Sequence, residues 1–104
     1  MKFTQTNTSA GVEILANDHY VGKPVTITFT GDTTLLKKGT PVTRFGAVAT
    51  GADALGVLLW DVTADNPNGT VVIHGFLETA KAEQESGVTV SDDMKAAMPM
   101  IYFL

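Results

Sequence analysis

The chain of 104 residues contains no cysteine. Small secreted domains often depend on disulfides, so this absence favours a protein that folds in a reducing cytosol. The N-terminal residues lack the apolar stretch of a signal peptide, and no apolar run reaches the ~20 residues that a membrane helix needs. We therefore expect a cytosolic protein without a membrane partner.

Basic residues are few and scattered. Seven Lys and Arg stand against eleven Asp and Glu, which gives a net charge of −4. Only Lys37 and Lys38 are adjacent. Binding to a phosphate backbone requires a clustered basic face, so nucleic acid is not an expected partner.

Residue patterns that carry catalysis or bind cofactors are also missing. The two histidines, His19 and His74, are far apart in the sequence, and a zinc site needs three or four converging ligands. No Gly-x-Ser-x-Gly elbow and no phosphate-binding loop occurs. Four carboxylates are candidates for an acid and base pair and are interpreted as solvated: Asp61, Asp65, Glu78 and Glu83. We expect no enzyme, no catalytic residue, no cofactor and no metal.

What the sequence does contain is a well-specified β segment from Gly39 to Leu77. Two nearly unbroken apolar runs, Val57 to Val62 and Val71 to Leu77, flank the pair Asn68-Gly69. An Asn-Gly pair favours the positive φ angles of a tight hairpin turn, so a hairpin is predicted there. Such continuous runs indicate strands that are buried on both faces, within the fold or by a neighbouring subunit.

Further elements are predicted on either side of this segment. Val25 to Thr30 alternates, with Val25, Ile27 and Phe29 facing inward and the threonines facing water. Val12 to Ala16 is predicted as a short strand, and Leu35-Leu36 as part of a turn. Pro41 to Phe45 is predicted as a strand, because a proline at its start is tolerated at an open sheet edge. Ser91 caps a short helix that Pro99 stops, and an apolar strand, residues 100–104, follows. The fold class is mainly β, a small barrel or sandwich-like domain with hairpins and one short C-terminal helix, α+β at the margin.

The domain organisation is an arm followed by one domain. Residues 1–11 are polar and Thr-rich, with Phe3 as the one large apolar side chain, and cannot bury enough area to order themselves. They are predicted to be a flexible arm, either a frayed terminus or a segment that orders on a partner. Residues 12–104 form the β-rich domain. Trp60 is interpreted as a core residue or, alternatively, as an anchor between subunits.

The order of four segments along the chain resembles that in the head decoration proteins of tailed bacteriophages. These segments are Gly39-Thr40-Pro41-Val42, Ala54-Leu55-Gly56-Val57-Leu58, Asp61-Val62 and Val71 to Phe76. Residues 88–104 resemble the same group. The resemblance implies a small, mainly-β, non-enzymatic protein that forms homotrimers on the outside of the expanded capsid. It implies the major capsid protein as partner, a virion location after synthesis in the host cytoplasm, and a capsid-binding arm that contains Lys2, Phe3, Thr4, Gln5, Thr6 and Asn7.

Two other functions remain open on the sequence. One is another small β-barrel part of the virion, such as a tail or neck adaptor. The other is a carbohydrate-binding module in which Trp60 and Tyr20 provide stacking platforms.

Overall fold

The computed structural model describes residues 14–17 and 19–104. Over these residues the chain forms seven strands and two helices. The strands are β1 (Val21–Thr26), β2 (Leu35–Leu36), β3 (Pro41–Thr43), β4 (Ala54–Leu58), β5 (Val62–Thr63), β6 (Asn68–Leu77) and β7 (Ile101–Phe103), and the helices are α1 (Thr79–Ser86) and α2 (Asp92–Ala97). The mainly-β prediction is confirmed, and α1 adds a helix to the single C-terminal one that was expected.

Strand β6 organises the main sheet because it pairs with three other strands. The antiparallel order is β1-β6-β4-β3, and β7 lies parallel to the last three residues of β6. Strands β2 and β5 form a separate antiparallel ribbon. The predicted Val12–Ala16 strand is represented by one bridge between Leu15 and Leu77, and its first two residues lie outside the described residues.

The centre of the main sheet, formed by strands β4 and β6, is buried on both faces. On one face, Val57 and Val72 pack in a cluster that also contains Ala82 of α1 and Met94 of α2. On the other face, Leu58 and Val71 pack with Val62 of the β2–β5 ribbon. Because successive residues of a strand point to opposite faces, the unbroken apolar runs of the sequence serve both clusters at once. The helices thus cover one face of the sheet and the ribbon covers the other.

The predicted hairpin turn at Asn68-Gly69 is wrong. These residues open strand β6, and the turn lies earlier, at Ala64-Asp65, where the Asn66 N–H donates to the Thr63 carbonyl at 3.1 Å. Gly69 is not in the left-handed region. A Cβ at Gly69 would stand 3.0 Å from side-chain atoms of both Leu58 and Val62, so this glycine permits close packing rather than a turn.

Strand β1 begins and ends four residues before the predicted Val25–Thr30 strand, but the predicted facing is confirmed. Val25 and Ile27 are buried and Phe29 is half-buried. Pro24 lies inside the strand, opposite Thr70. The Ile27 N–H donates to the Pro67 carbonyl at 2.7 Å, so by alternation the nitrogen of Pro24 points away from β6 and no ladder bond is lost.

Pro41 opens β3 at the edge of the main sheet, and the apolar C-terminal segment forms β7, both as predicted. Ser91 also caps α2 as predicted, since its hydroxyl accepts a hydrogen bond from the Met94 N–H at 3.2 Å. Leu35-Leu36, expected in a turn, instead forms β2 and pairs with β5.

Candidate interaction surfaces

The ionisable residues of the described chain do not converge on a chemical site. No group of three or more His, Cys, Asp or Glu that could hold a metal ion occurs among residues 14–17 and 19–104. Asp61 instead accepts a hydrogen bond from the Lys38 N–H at 2.9 Å and pairs with the Lys37 ammonium at 3.7 Å. Glu83 accepts from the Val90 N–H at 2.8 Å. These two carboxylates therefore make contacts within the fold and do not face each other as an acid and base pair.

One exposed apolar feature is the outer side of β7. Met100, Tyr102 and Leu104 alternate along the chain and are 55%, 58% and 64% exposed, while Ile101 between them is buried. The Tyr102 ring stacks on the Phe76 ring of β6, with centroids 5.0 Å apart and planes 14° apart. We call Phe76, Met100, Tyr102 and Leu104 the β7 face. Such a row of exposed apolar side chains is typical of a surface that contacts another protein.

A second feature is a tip between β3 and β4, formed by Arg44 and Phe45. Phe45 is 75% exposed, the highest fraction among the exposed large apolar residues. Its backbone is held on both sides: the Phe45 N–H donates to Thr43 Oγ1 and its carbonyl accepts from Thr28 Oγ1, each at 3.2 Å. The Arg44 guanidinium lies 5.3 Å from the centroid of the Phe45 ring. The tip therefore presents an aromatic ring and a positive charge from a fixed backbone.

Two open grooves lie on the side of the molecule formed by the β2–β5 ribbon. One groove, of about 320 Å³, is lined by Thr34, Leu35, Thr63, Ala64 and Asp65. We call it the ribbon groove. The other, of about 270 Å³, is lined by Thr28, Phe29, Thr30, Thr33, Leu36, Ala47 and Val48. Both combine apolar side chains with threonines, and neither contains a cluster of ionisable groups.

Trp60 lies outside the core, because it is 46% exposed. The core interpretation of this residue is therefore wrong. Strand β4 ends at Leu58 and β5 starts at Val62, and the chain bends between the two strands. Leu58 and Val62 are both buried, but because of this bend the alternation along β4 does not continue to Trp60. Its predicted role as a subunit interface stays a prediction.

The remaining predicted site residues separate into two groups. Those of the arm, Lys2, Phe3, Thr4, Gln5, Thr6 and Asn7, lie outside the described residues. Tyr20, the other predicted stacking platform, is 38% exposed and lies against Gly75, where a Cβ would stand 3.1 Å from Tyr20 Cβ. Sequence reasoning missed Phe45 and the exposure of the β7 face. The alternation of Met100, Tyr102 and Leu104 around Ile101 was the signal for the latter.

Comparison with models of known protein families, with curated proteins and with solved structures found no match to this chain. The resemblance to head decoration proteins therefore stays a prediction from the sequence. Among the described residues, none of the helices has the length and apolarity to cross a membrane.

Proposed function

We propose that this chain is a structural protein of a tailed-phage virion, a non-catalytic decoration protein that binds the outside of the expanded head as a homotrimer and stabilises it. The observation that carries the proposal is the β7 face, an uncovered apolar row on the surface of a small domain. Its partners are the major capsid protein and further copies of itself. It is made in the host cytoplasm and works on the capsid surface.

The β7 face supports this proposal because exposure of its apolar side chains to water is unfavourable, and a protein partner would bury them. Removal of apolar area from water is favourable by about 25 cal/mol per Å², before the entropy costs of association are subtracted. In the β7 face, the Tyr102 ring stacks on the Phe76 ring, and this contact restricts the rotation of both side chains. A fixed surface loses less side-chain entropy on binding than a mobile one.

The fold also supports a passive, load-bearing role. Strand β6 is covered on both faces, by helices on one side and by the ribbon on the other. A sheet held in this way keeps its attachment surfaces in fixed relative positions. Each contact of one copy can be weak, because a shell repeats the contact many times and a trimer binds through several sites at once.

The test uses expanded, undecorated heads of the phage whose genome encodes this chain. The full-length protein is expected to co-sediment with these heads and to raise the temperature at which they rupture. A variant that lacks residues 1–11 is expected to keep its circular dichroism spectrum and thermal midpoint, because this polar segment contains a single large apolar side chain, Phe3, but to lose attachment. Full attachment of this variant would overturn the role of the arm.

Two results would overturn the proposed function itself. One is a full-length protein that neither attaches to the heads nor changes their rupture temperature. The other is a stable hexamer in solution, which would favour a ring component of the tail or neck.

A further inference from the structure

We propose that the tip formed by Arg44 and Phe45 of one copy docks into the ribbon groove of a second copy. The inference rests on the proposed function because it assumes the homotrimer. It names the contact that would join the copies of this trimer. It concerns a surface separate from the β7 face and from the arm.

The tip has the properties of an inserting element. Phe45 exposes three quarters of its surface, which is costly for an aromatic side chain without a partner. Its backbone is tied to Thr43 and Thr28 by side-chain hydrogen bonds, so the ring does not need a new loop conformation in order to dock. Arg is one of the residue types enriched among interface hot spots, and both Arg and Phe are enriched at protein interfaces.

The ribbon groove has the size and the apolar floor to receive this ring. Its volume is about 320 Å³, and a cavity of roughly 150 Å³ is enough to hold a benzene ring. Leu35, which lines the groove, is itself 44% exposed. Docking of Phe45 against Leu35 would therefore remove apolar surface from water on both copies.

Charge complementarity selects a second copy as the occupant. Asp65 lines the groove and Arg44 stands beside the inserting ring, so docking brings a carboxylate to a guanidinium. Within residues 14–17 and 19–104, neither Arg44 nor Asp65 forms an ion pair. Two copies that each carry a net charge of −4 repel each other at long range. A local pair of opposite charges offsets part of that repulsion and fixes how the two copies align.

The contact between tip and groove is of a kind that permits a closed ring. The tip and the groove are different surfaces, so the contact is head-to-tail, and each copy still offers one free tip or groove after pairing. Head-to-tail contacts close into rings when the rotation between copies permits it, and a trimer is one such ring.

The test measures self-association by sedimentation equilibrium up to about 1 mM, a concentration that populates even weak complexes. The variants are Phe45→Ala, Arg44→Glu, Asp65→Arg and the double reversal Arg44→Glu/Asp65→Arg. Lys81→Glu, a reversal at an exposed position of α1, is the matched control for charge. Thermal unfolding of each variant checks that it is folded, and attachment to heads is measured separately.

We expect Phe45→Ala and each single reversal to weaken self-association about tenfold or more, the double reversal to restore most of it, and the control to match the wild type. A double reversal that is no better than the single ones would overturn the inference. So would a wild-type protein that stays monomeric at about 1 mM. Both failures leave the proposed function intact if the protein still attaches to heads, so the two proposals fail separately.

Discussion

Gly39 lies directly against the backbone of Ala82 in helix α1: a Cβ at Gly39 would stand 2.9 Å from the Ala82 Cα. Gly39 also has a φ of 91° and donates its N–H to the Leu58 carbonyl at 2.8 Å. One residue thus joins the turn after β2, the end of β4 and the middle of α1. The absence of a side chain at Gly39 allows the helix to approach the sheet.

Gly39→Ala is therefore expected to destabilise the fold by about 2–4 kcal/mol, through a strained backbone and a clash with the backbone of Ala82. The measurement is urea unfolding, where the midpoint falls and the slope stays constant. Gly51→Ala is the control, since a Cβ there has no atom within 4 Å and its φ is not left-handed. Equal midpoints for the two variants would contradict the role of Gly39.

Glu83 is predicted to stabilise the connection between the two helices. Its carboxylate accepts from the N–H of buried Val90 at 2.8 Å. Glu83→Ala leaves this donor without its partner, and we expect a loss of about 1–3 kcal/mol of unfolding free energy. Glu83→Gln keeps an oxygen acceptor and should lose less.

Gln84 provides the control for this prediction, because it is the exposed neighbour on the same helix. Gln84→Ala should change the unfolding free energy by no more than about 0.5 kcal/mol. Amide hydrogen exchange gives a second measurement, since exchange at Val90 should accelerate in Glu83→Ala and stay unchanged in Gln84→Ala. If exchange at Val90 is the same in all variants, the hydrogen bond does not hold this connection.

The β7 face is predicted to bind a protein partner rather than to stabilise the monomer. Met100→Lys places a charge on a residue that is already 55% exposed, so the unfolding free energy should change by only about 0.5 kcal/mol. Attachment to heads or self-association should weaken about tenfold. Ala96→Lys, an exposed position on α2, adds the same charge and should leave both unchanged. Loss of attachment in both variants would point to net charge instead of this surface.

The sequence predicts the facing of side chains better than it predicts where the chain turns. Alternation correctly assigns Val25 and Ile27 to the core, because one face of a strand must be buried whatever its exact ends are. Ser91 identifies its helix start because the cap is a local interaction. Gly69 led to a wrong turn prediction, because a glycine is present there to allow close contact with Leu58 and Val62. A contact between distant segments leaves no local pattern in the sequence.

The candidate surfaces were harder to predict for a related reason. Trp60 continues an apolar run, so pattern alone places it inside, and only the bend between β4 and β5 turns it outward. Phe45 is the last residue of a predicted strand, but the strand ends at Thr43, and the exposure of Phe45 depends on hydrogen bonds of the turn to Thr43 and Thr28. Exposure of an aromatic residue after a strand end is a property of the loop geometry, which depends on tertiary contacts.

The last prediction concerns Trp60, which is the only tryptophan and therefore the only source of tryptophan fluorescence. Because Trp60 is 46% exposed, iodide and acrylamide should both quench its emission in the free protein. If Trp60 is a subunit or capsid anchor, quenching of its emission by iodide should fall once the protein is assembled on heads. Trp60→Ala should then weaken assembly and change the thermal midpoint by no more than a few degrees. Tyr20→Ala, at another exposed aromatic residue, provides the comparison. Quenching that is identical in the free and assembled protein would remove Trp60 from the interface and leave its exposure without a binding role.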